Sequence, residues 1–436
     1  MTTKSFDAFL TRVTEQMKSK EGKHLVQKEL HSHLLQSKKA NMRAGYSEGE
    51  AEVNAISRMG DPVQLGKKMN KLHRPLIDWW MLALVGGLFL LSFVPFLLVD
   101  IQAMRVELQL LSVFISFIFM FSLMLIDFRK ILTKWKWFLG VAIFYIIFFC
   151  LGTITELPYM YYSFGLLKFE IFGVRIPHQW FLMLIFIGLV GYISNVQINS
   201  YKQLIPLFII MWFPILLIGK HLGPFLSILL VMITLTVVAF SSLTKKLKKQ
   251  FLTWNGVIIW ASLLWAIISL EPHRYSRIAV WLKVDSDPGE SYVPNLLRDI
   301  IQSSTLWGQT DMTWVNAMPD IHTVTALTIV IYYGGWLLTA FLITVFIGII
   351  VRLVFLLVQM QHQQARLMIA GGMVLLTFPF VYNTLMIFGL LPYSAVNFPI
   401  LSYGGAERIY YSAVIGLMLS VYRQKLFLRK LLVNVK

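Results

Sequence analysis

Two short strings near the C-terminus carry residue types from which chemistry could be built. Met318-Pro-Asp-Ile-His-Thr-Val324 sets a carboxylate, Asp320, two residues before an imidazole, His322. Either group can accept a proton from an attacking hydroxyl, and a histidine with an ordinary pKa of about 6.5 is a neutral base at working pH. The second string is Gly389-Leu-Leu-Pro-Tyr-Ser-Ala-Val-Asn-Phe-Pro-Ile-Leu-Ser-Tyr-Gly-Gly405. It supplies no acid or base, but its prolines and glycines are too dense for a continuous helix. Arg274, Arg277 and Arg298 precede the first string and Arg408 follows the second. A guanidinium fork matches phosphate oxygens two at a time. Asp285, Asp287, Glu290, Asp299 and Asp311 share the stretch before Met318. They read as solvated loop carboxylates.

The elements that must hold these residues are apolar. Of 436 residues, 57% are hydrophobic and 14% charged, and the mean hydropathy is +0.67. Soluble domains carry about 25% charged residues, so the composition is that of a polytopic membrane protein of all-α class. A bilayer crossing takes about 20 apolar residues. Ten segments qualify, near 77–99, 107–126, 137–154, 179–195, 203–219, 222–240, 251–270, 330–351, 367–390 and 405–422. The fifth and sixth are parted only by Lys220 and His221. Broken backbone at membrane depth persists only where protein buries it or where it lines a wet cavity. The 389–405 string is therefore expected to shape a cavity at one membrane face.

Charge sets the expected orientation. With both termini in the cytoplasm, the inner segments hold 30 of the 39 lysines and arginines, while the 22 acidic residues divide 10 to 12. Such a bias fixes topology and accounts for the net charge of +17 without a nucleic-acid partner. The Lys245-Lys-Leu-Lys-Lys249 cluster then faces anionic membrane lipids. The longest polar outer loop, 271–323, shares its face with the broken string, so chemistry is expected outside. The lone cysteine, Cys150, permits no internal disulfide and no thiolate metal site. No metal site and no cofactor are indicated, a divalent cation included.

Residues 1–75 read as a separate soluble helical module with 14 basic and 8 acidic residues. Ser47-Glu-Gly-Glu50 is a capping box, and Asp61-Pro62 is a second helix start. Val53, Ile56, Val63 and Leu65 are expected to face inward. His31 and His33, two apart on a helix, point different ways and do not suggest a metal pair. Residues 426–436 form a basic cytoplasmic tail.

Leu391-Pro392, Phe398-Pro399 and Ser402-Tyr-Gly-Gly405, with Ile77-Asp-Trp-Trp80 opening the first span, resemble the SEDS family (FtsW/RodA/SpoVE) of bacterial shape, elongation, division and sporulation proteins. The resemblance covers about 76–425. Gly173-Val-Arg-Ile-Pro-His-Gln179 and Leu217-Ile-Gly-Lys-His-Leu-Gly223 are similar to two further family segments in worn form. The module, through runs such as Gly45-Tyr-Ser-Glu-Gly-Glu-Ala-Glu52 and Met59-Gly-Asp-Pro62, resembles the HAAS-like helical domains of bacterial membrane sensors. It implies a cytoplasmic docking partner.

The family resemblance implies a multi-pass protein of the bacterial cytoplasmic membrane that polymerises lipid-linked peptidoglycan precursor beside a class B penicillin-binding protein. It implies a substrate site at Ser402, Tyr403, Gly404, Gly405 and Arg408, with Arg274, Arg277 and Arg298 near the pyrophosphate. The family pattern Pro-Glu-x-His-Thr-Asp ends on the aspartate thought to be the base, and Val324 stands there instead. Three readings follow. One is a divergent or regulatory member that keeps the lipid site. The second is an active glycosyltransferase using His322 or Asp320. The third is a lipid II flippase or transporter, which the scarcity of paired charges in the spans disfavours. All share the expectation that Arg274 or Arg277, His322, Asp320 and Ser402–Gly405 converge on one outward-facing cleft.

Overall fold

The computed structural model describes residues 3–18, 20–73, 76–99, 104–155, 160–163, 166–171, 174–176, 178–268, 272–282, 288–311, 314, 317–319 and 321–425. The chain forms two compact units. One comprises Met1–Ile77 with Tyr422–Lys436, the other Asp78–Val421.

The first unit is built on four helices: α1 (Thr3–Glu15), α2 (Lys20–Arg43), α3 (Glu48–Met59) and α4 (Pro62–His73). Its core is Phe6, Phe9, Leu10, Val13 and Met17 against Val26, Leu30 and Leu34 of α2 and Ala55 of α3. The capping box forms as its sequence dictates. The Ser47 hydroxyl accepts from Glu50 N, and the Glu50 carboxylate accepts from Ser47 N at 3.1 Å. Asp61 likewise accepts from Val63 N and Gln64 N. The inward stripe of α3, however, is Ala51, Glu52 and Ala55, so Val53 points outward at 66% exposure, and Val63 is also exposed. Glu52 goes inward because Lys38 donates to it at 3.3 Å and to Glu48 at 2.9 Å. Those contacts, Glu48 first, hold the Lys38 ammonium above the usual lysine range. Leu76 N donates to Arg423 O at 3.1 Å. The residues leading into the first span and leaving the last therefore meet in one unit.

The second unit is an apolar helical body. Asp78 caps α5 (Trp79–Leu91) through Met81 N and takes the Arg352 guanidinium at 2.8 Å. Next come α6 (Val94–Leu98), α7 (Val106–Leu125), α8 (Phe128–Thr133) and α9 (Trp135–Thr155). A small antiparallel meander, absent from the sequence expectation, then joins α9 to α10 (Gln179–Asn195). Its strands are β1 (Met160–Ser163), β2 (Leu166–Ile171) and β3 (Val174–Ile176). After a 3-10 turn come α11 (Ile205–Phe240), α12 (Lys245–Ile268), α13 (Pro272–Trp281), α14 (Pro288–Ser303), α15 (Ala326–Gln359), α16 (Gln363–Ile387) and α17 (Gly405–Arg423).

Among the described residues, four helical stretches are long and apolar enough to cross a bilayer: Trp79–Leu98, Val106–Leu125, α15 and α16. Four shorter apolar ones are Trp135–Phe148, α10, Tyr201–Leu217 and Pro224–Phe240. Helices α12 and α17 fall on the two remaining expected segments, and the body is that of an all-α, multi-pass membrane protein.

The helical stretch α11 covers both the fifth and the sixth expected span. A straight helix of its length would place Phe208 and Ala239 about 45 Å apart at 1.5 Å per residue. Yet the Phe208 ring lies 4.7 Å from that of Phe251, while Lys248, one turn earlier on α12, donates to Ala239 O at 2.7 Å. The chain therefore doubles back within α11, so that its two halves run as separate crossings.

A second break lies in α15. Gly335 has φ of 80°, and the 305–309 turn fills the gap with backbone hydrogen bonds. Gln309 N donates to Tyr332 O (3.0 Å), Trp336 N to Thr305 O (3.1 Å) and Leu337 N to Leu306 O (3.3 Å). A Cβ on Gly335 would lie 2.4 Å from Leu306 O, and one on Gly308 2.2 Å from Tyr333 O. Both glycines are fixed by this approach and by their left-handed φ.

In a Cys150→Ala background, the cysteine pairs Phe208→Cys/Phe251→Cys and Ala239→Cys/Lys248→Cys are both expected to join through a short thiol cross-linker. A protein in which only one pair reacts would contradict the turn in α11.

Candidate functional site

The two chemistry-bearing strings meet. Tyr403 N donates to His322 O at 2.8 Å, and Ser402 Oγ donates to Thr323 O at 2.7 Å. The His322 and Tyr403 rings pack edge to face at 5.9 Å. Tyr403 also meets Phe96 edge-on, and its hydroxyl accepts from Arg105 N at 3.3 Å. From below, the fully buried Asn383 of α16 donates to Val324 O at 2.8 Å and to Val396 O. One amide thus spans both strings. Helix α16 ends at Ile387, Gly389 turns with φ of 73°, and α17 begins at Gly405. Between them the chain runs without helix, as its prolines require.

The frame behind this loop is Arg408. It is 1% exposed. Its Nε donates to Ile400 O (3.3 Å), its Nη2 to Ser402 O (3.1 Å) and its Nη1 to Ser112 Oγ of α7. Ile400 is β-branched with φ of 69°. That conformation is strained, and the guanidinium on its carbonyl helps to hold it. Arg408, expected at a substrate phosphate, is thus placed behind the loop with its fork committed to protein oxygens. Glu407 faces the other way and does not pair with it. Asn397 Nδ2 donates to Glu407 Oε2 at 2.6 Å and Gln179 Nε2 to Oε1 at 3.3 Å.

His322 is half-buried, and Val324 is 6% exposed. The position expected to hold a base is therefore filled by an isopropyl group inside the packing. Asp320 lies outside the described residues. Arg298 is exposed on α14, and Arg277 is half-buried on α13. Arg274 belongs to the backbone of α13, and its side chain lies outside the described set. Neither Arg277 nor Arg298 makes the hydrogen bonds that join the strings. The geometry brings together His322, Thr323, Val324 and Ser402–Gly405. It adds Asn383, Ser112 and Gln179, which sequence reasoning missed because each lies on a different span. Asp311 is exposed, as expected of a solvated loop carboxylate, and both its oxygens accept from the Tyr332 hydroxyl at 2.9 Å. Among the described residues no group of three or more His, Cys, Asp or Glu could hold a metal ion.

The profile of a family of cell cycle proteins, FtsW/RodA/SpoVE, matches residues 75–426. This chain belongs to that family. Among FtsW/RodA/SpoVE relatives, the peptidoglycan glycosyltransferase MrdB of Escherichia coli K12 is 26% identical over 228 residues, 51% of this chain. The MrdB of Shigella flexneri matches equally. The match spans 60% of the length of these relatives. Two solved structures share the fold over 80% of this chain. One is a chain of a peptidoglycan synthase complex that coordinates polymerization and crosslinking, with a TM-score of 0.66, 16% identity and 98% of that chain covered. The other is the rod shape determining protein RodA of Thermus thermophilus, with a TM-score of 0.57, 16% identity and 97% covered.

Replacing Asn383 with leucine is expected to destabilise the protein more than Ser402→Ala. It orphans two buried carbonyls at about 1–3 kcal/mol each, against about 1 kcal/mol for one lost hydroxyl bond. Thermal unfolding of the two variants in detergent compares them, and an equal or inverted order would contradict the role of Asn383 as the tie.

Proposed function

We propose that this protein is a divergent member of its family, which binds lipid-linked peptidoglycan precursor at the outer face of the bacterial cytoplasmic membrane without polymerising it efficiently. The observation that carries this is Val324. It occupies, in a buried setting, the position from which the family's aspartate is thought to take the proton of the attacking sugar hydroxyl. An alkyl group accepts no proton, and loss of a general base typically removes about 10²–10⁴-fold of rate. The surrounding scaffold is kept: His322–Thr323 clasped by Ser402–Tyr403, beneath a loop broken in the manner of a cavity wall. The outward assignment follows from 30 of 39 basic residues falling on the other side, with both termini, in the cytoplasm.

Arg274, Arg277 and Arg298 of the outer loop are assigned to the pyrophosphate on the matching geometry of guanidinium and phosphate. Arg408 acts by shaping the loop. Residues 1–75 serve as a cytoplasmic handle for a regulatory partner, and a class B penicillin-binding protein is the partner in the membrane. The competing reading is an active polymerase with His322 or Asp320 as base. It draws support from the half-buried place of His322 at the junction of the two strings.

A lipid II polymerisation assay on purified protein separates these readings. The natural chain is expected to yield no glycan polymer, and Val324→Asp to gain activity. Polymer from the natural chain that disappears in His322→Ala would overturn the proposal in favour of the second reading.

A further inference from the structure

Two cations converge on the last carbonyls of α11. Arg366, in the first turn of α16, donates to Phe240 O from Nη2 at 2.7 Å and from Nε at 3.1 Å. Lys248 of α12 donates to Ala239 O at 2.7 Å. Consecutive carbonyls of a helix are close neighbours, so the ammonium and the guanidinium lie no more than about 9 Å apart. Burial, and then the Arg366 charge, hold the Lys248 ammonium below the usual lysine range. A third contact closes the corner, where Ser242 Oγ donates to Gln363 Oε1 at 2.7 Å. Phe240 ends one apolar stretch and Gln363 begins another. The corner therefore sits where the hydrocarbon of a bilayer gives way to water.

Capping alone does not account for this pair. The carbonyl end of a helix carries about half an elementary charge, and two full cations exceed it. No carboxylate makes up the difference. Residues 202–270 and 321–406, which supply every group of the corner, contain no aspartate or glutamate. Arg129, whose charge reaches His362 beside Gln363, is itself paired with Asp127 at 2.7 Å. Lys245, Lys246 and Lys249 add to the excess. Each donor is also anchored without being used up. Lys248 keeps two N–H groups. Arg366 Nη1 and Gln363 Nε2 have no acceptor among the described residues, and Gln363 lies one turn before Arg366 on the same face. Apolar surface flanks the donors: Phe240 is 38% exposed, and Leu252, one turn beyond Lys248, 44%.

We propose that this corner binds one anionic phospholipid, its phosphate bridging Lys248 and Arg366 with Gln363 as a further donor, and its acyl chains running along Phe240 and Leu252. A phosphate whose oxygens accept at about 2.8 Å spans two donors at this separation. The flank of exposed side chains selects a lipid over free phosphate, which would cover none of that apolar surface.

The test is native mass spectrometry of the full chain in neutral detergent, titrated with phosphatidylglycerol, phosphatidylcholine or inorganic phosphate. One phosphatidylglycerol is expected to bind saturably, about tenfold tighter than phosphatidylcholine, and to stay bound in millimolar inorganic phosphate. Lys248→Gln/Arg366→Gln is expected to lose this preference. Lys245→Gln/Lys246→Gln, with the same loss of charge, is expected to keep it. Lys248→Gln alone leaves the Arg366 cap in place, and so keeps the test decisive should the first double variant not fold. It is expected to weaken phosphatidylglycerol binding about tenfold, the worth of one charged hydrogen bond. No preference in the natural chain, a preference undiminished by Lys248→Gln, equal loss in the two double variants, or displacement by phosphate would overturn the assignment.

Discussion

A guanidinium buried among helices holds this site together. The chain between α16 and α17 cannot be helical, so its carbonyls have no intrahelical partners, yet it is packed where water is scarce. Arg408, from the first turn of α17, reaches back to the carbonyls of Ile400 and Ser402 and sideways to Ser112. Hydrogen bonds from a charged donor contribute about 1.5–3 kcal/mol each. With Ser402 fixed by its carbonyl, its hydroxyl is free to take Thr323 O, and the next amide, of Tyr403, takes His322 O. One cation thus sets the loop, and the loop sets the string that carries the histidine.

That arrangement separates scaffold from chemistry. The contacts joining the strings use backbone carbonyls of His322, Thr323 and Val324, not their side chains. The side chain at 324 can therefore change from carboxylate to isopropyl while the scaffold stands, and the two strings stay clasped whatever the 324 position can do to a proton. A family fold can be kept in this way while a side chain of its site changes, which is how sites are generally carried on folds. The use of the same loop for lipid-linked sugar is the part of the account that rests on family resemblance and on charge topology.

Much of the body was legible in the sequence because hydropathy reports directly on burial in lipid. The capping box at Ser47 and the start at Asp61-Pro62 were legible because their chemistry is local. The reversal within α11 was legible from Lys220 and His221, two polar residues in an apolar run. What escaped involves partners distant in sequence. Nothing near Arg408 announces Ser112, almost 300 residues away, and Glu407, its neighbour in sequence, is directed to other partners because successive helical residues point about 100° apart. Val53 was misplaced because the inward stripe of α3 is small and ionic, through Glu52 and Lys38, rather than large and apolar. The 160–176 meander escaped because it lies outside the apolar spans that the hydropathy reading followed.

Direct equilibrium binding tests the central claim most simply. Purified protein in nanodiscs would be titrated with lipid-linked disaccharide–pentapeptide, and with a polyprenyl pyrophosphate lacking the sugar, and followed by native mass spectrometry. The account predicts saturable one-to-one binding of the sugar-bearing lipid, tighter than that of the bare pyrophosphate, with the ligand mass unchanged on standing. Absence of saturable binding, or no preference for the sugar-bearing lipid, would contradict it.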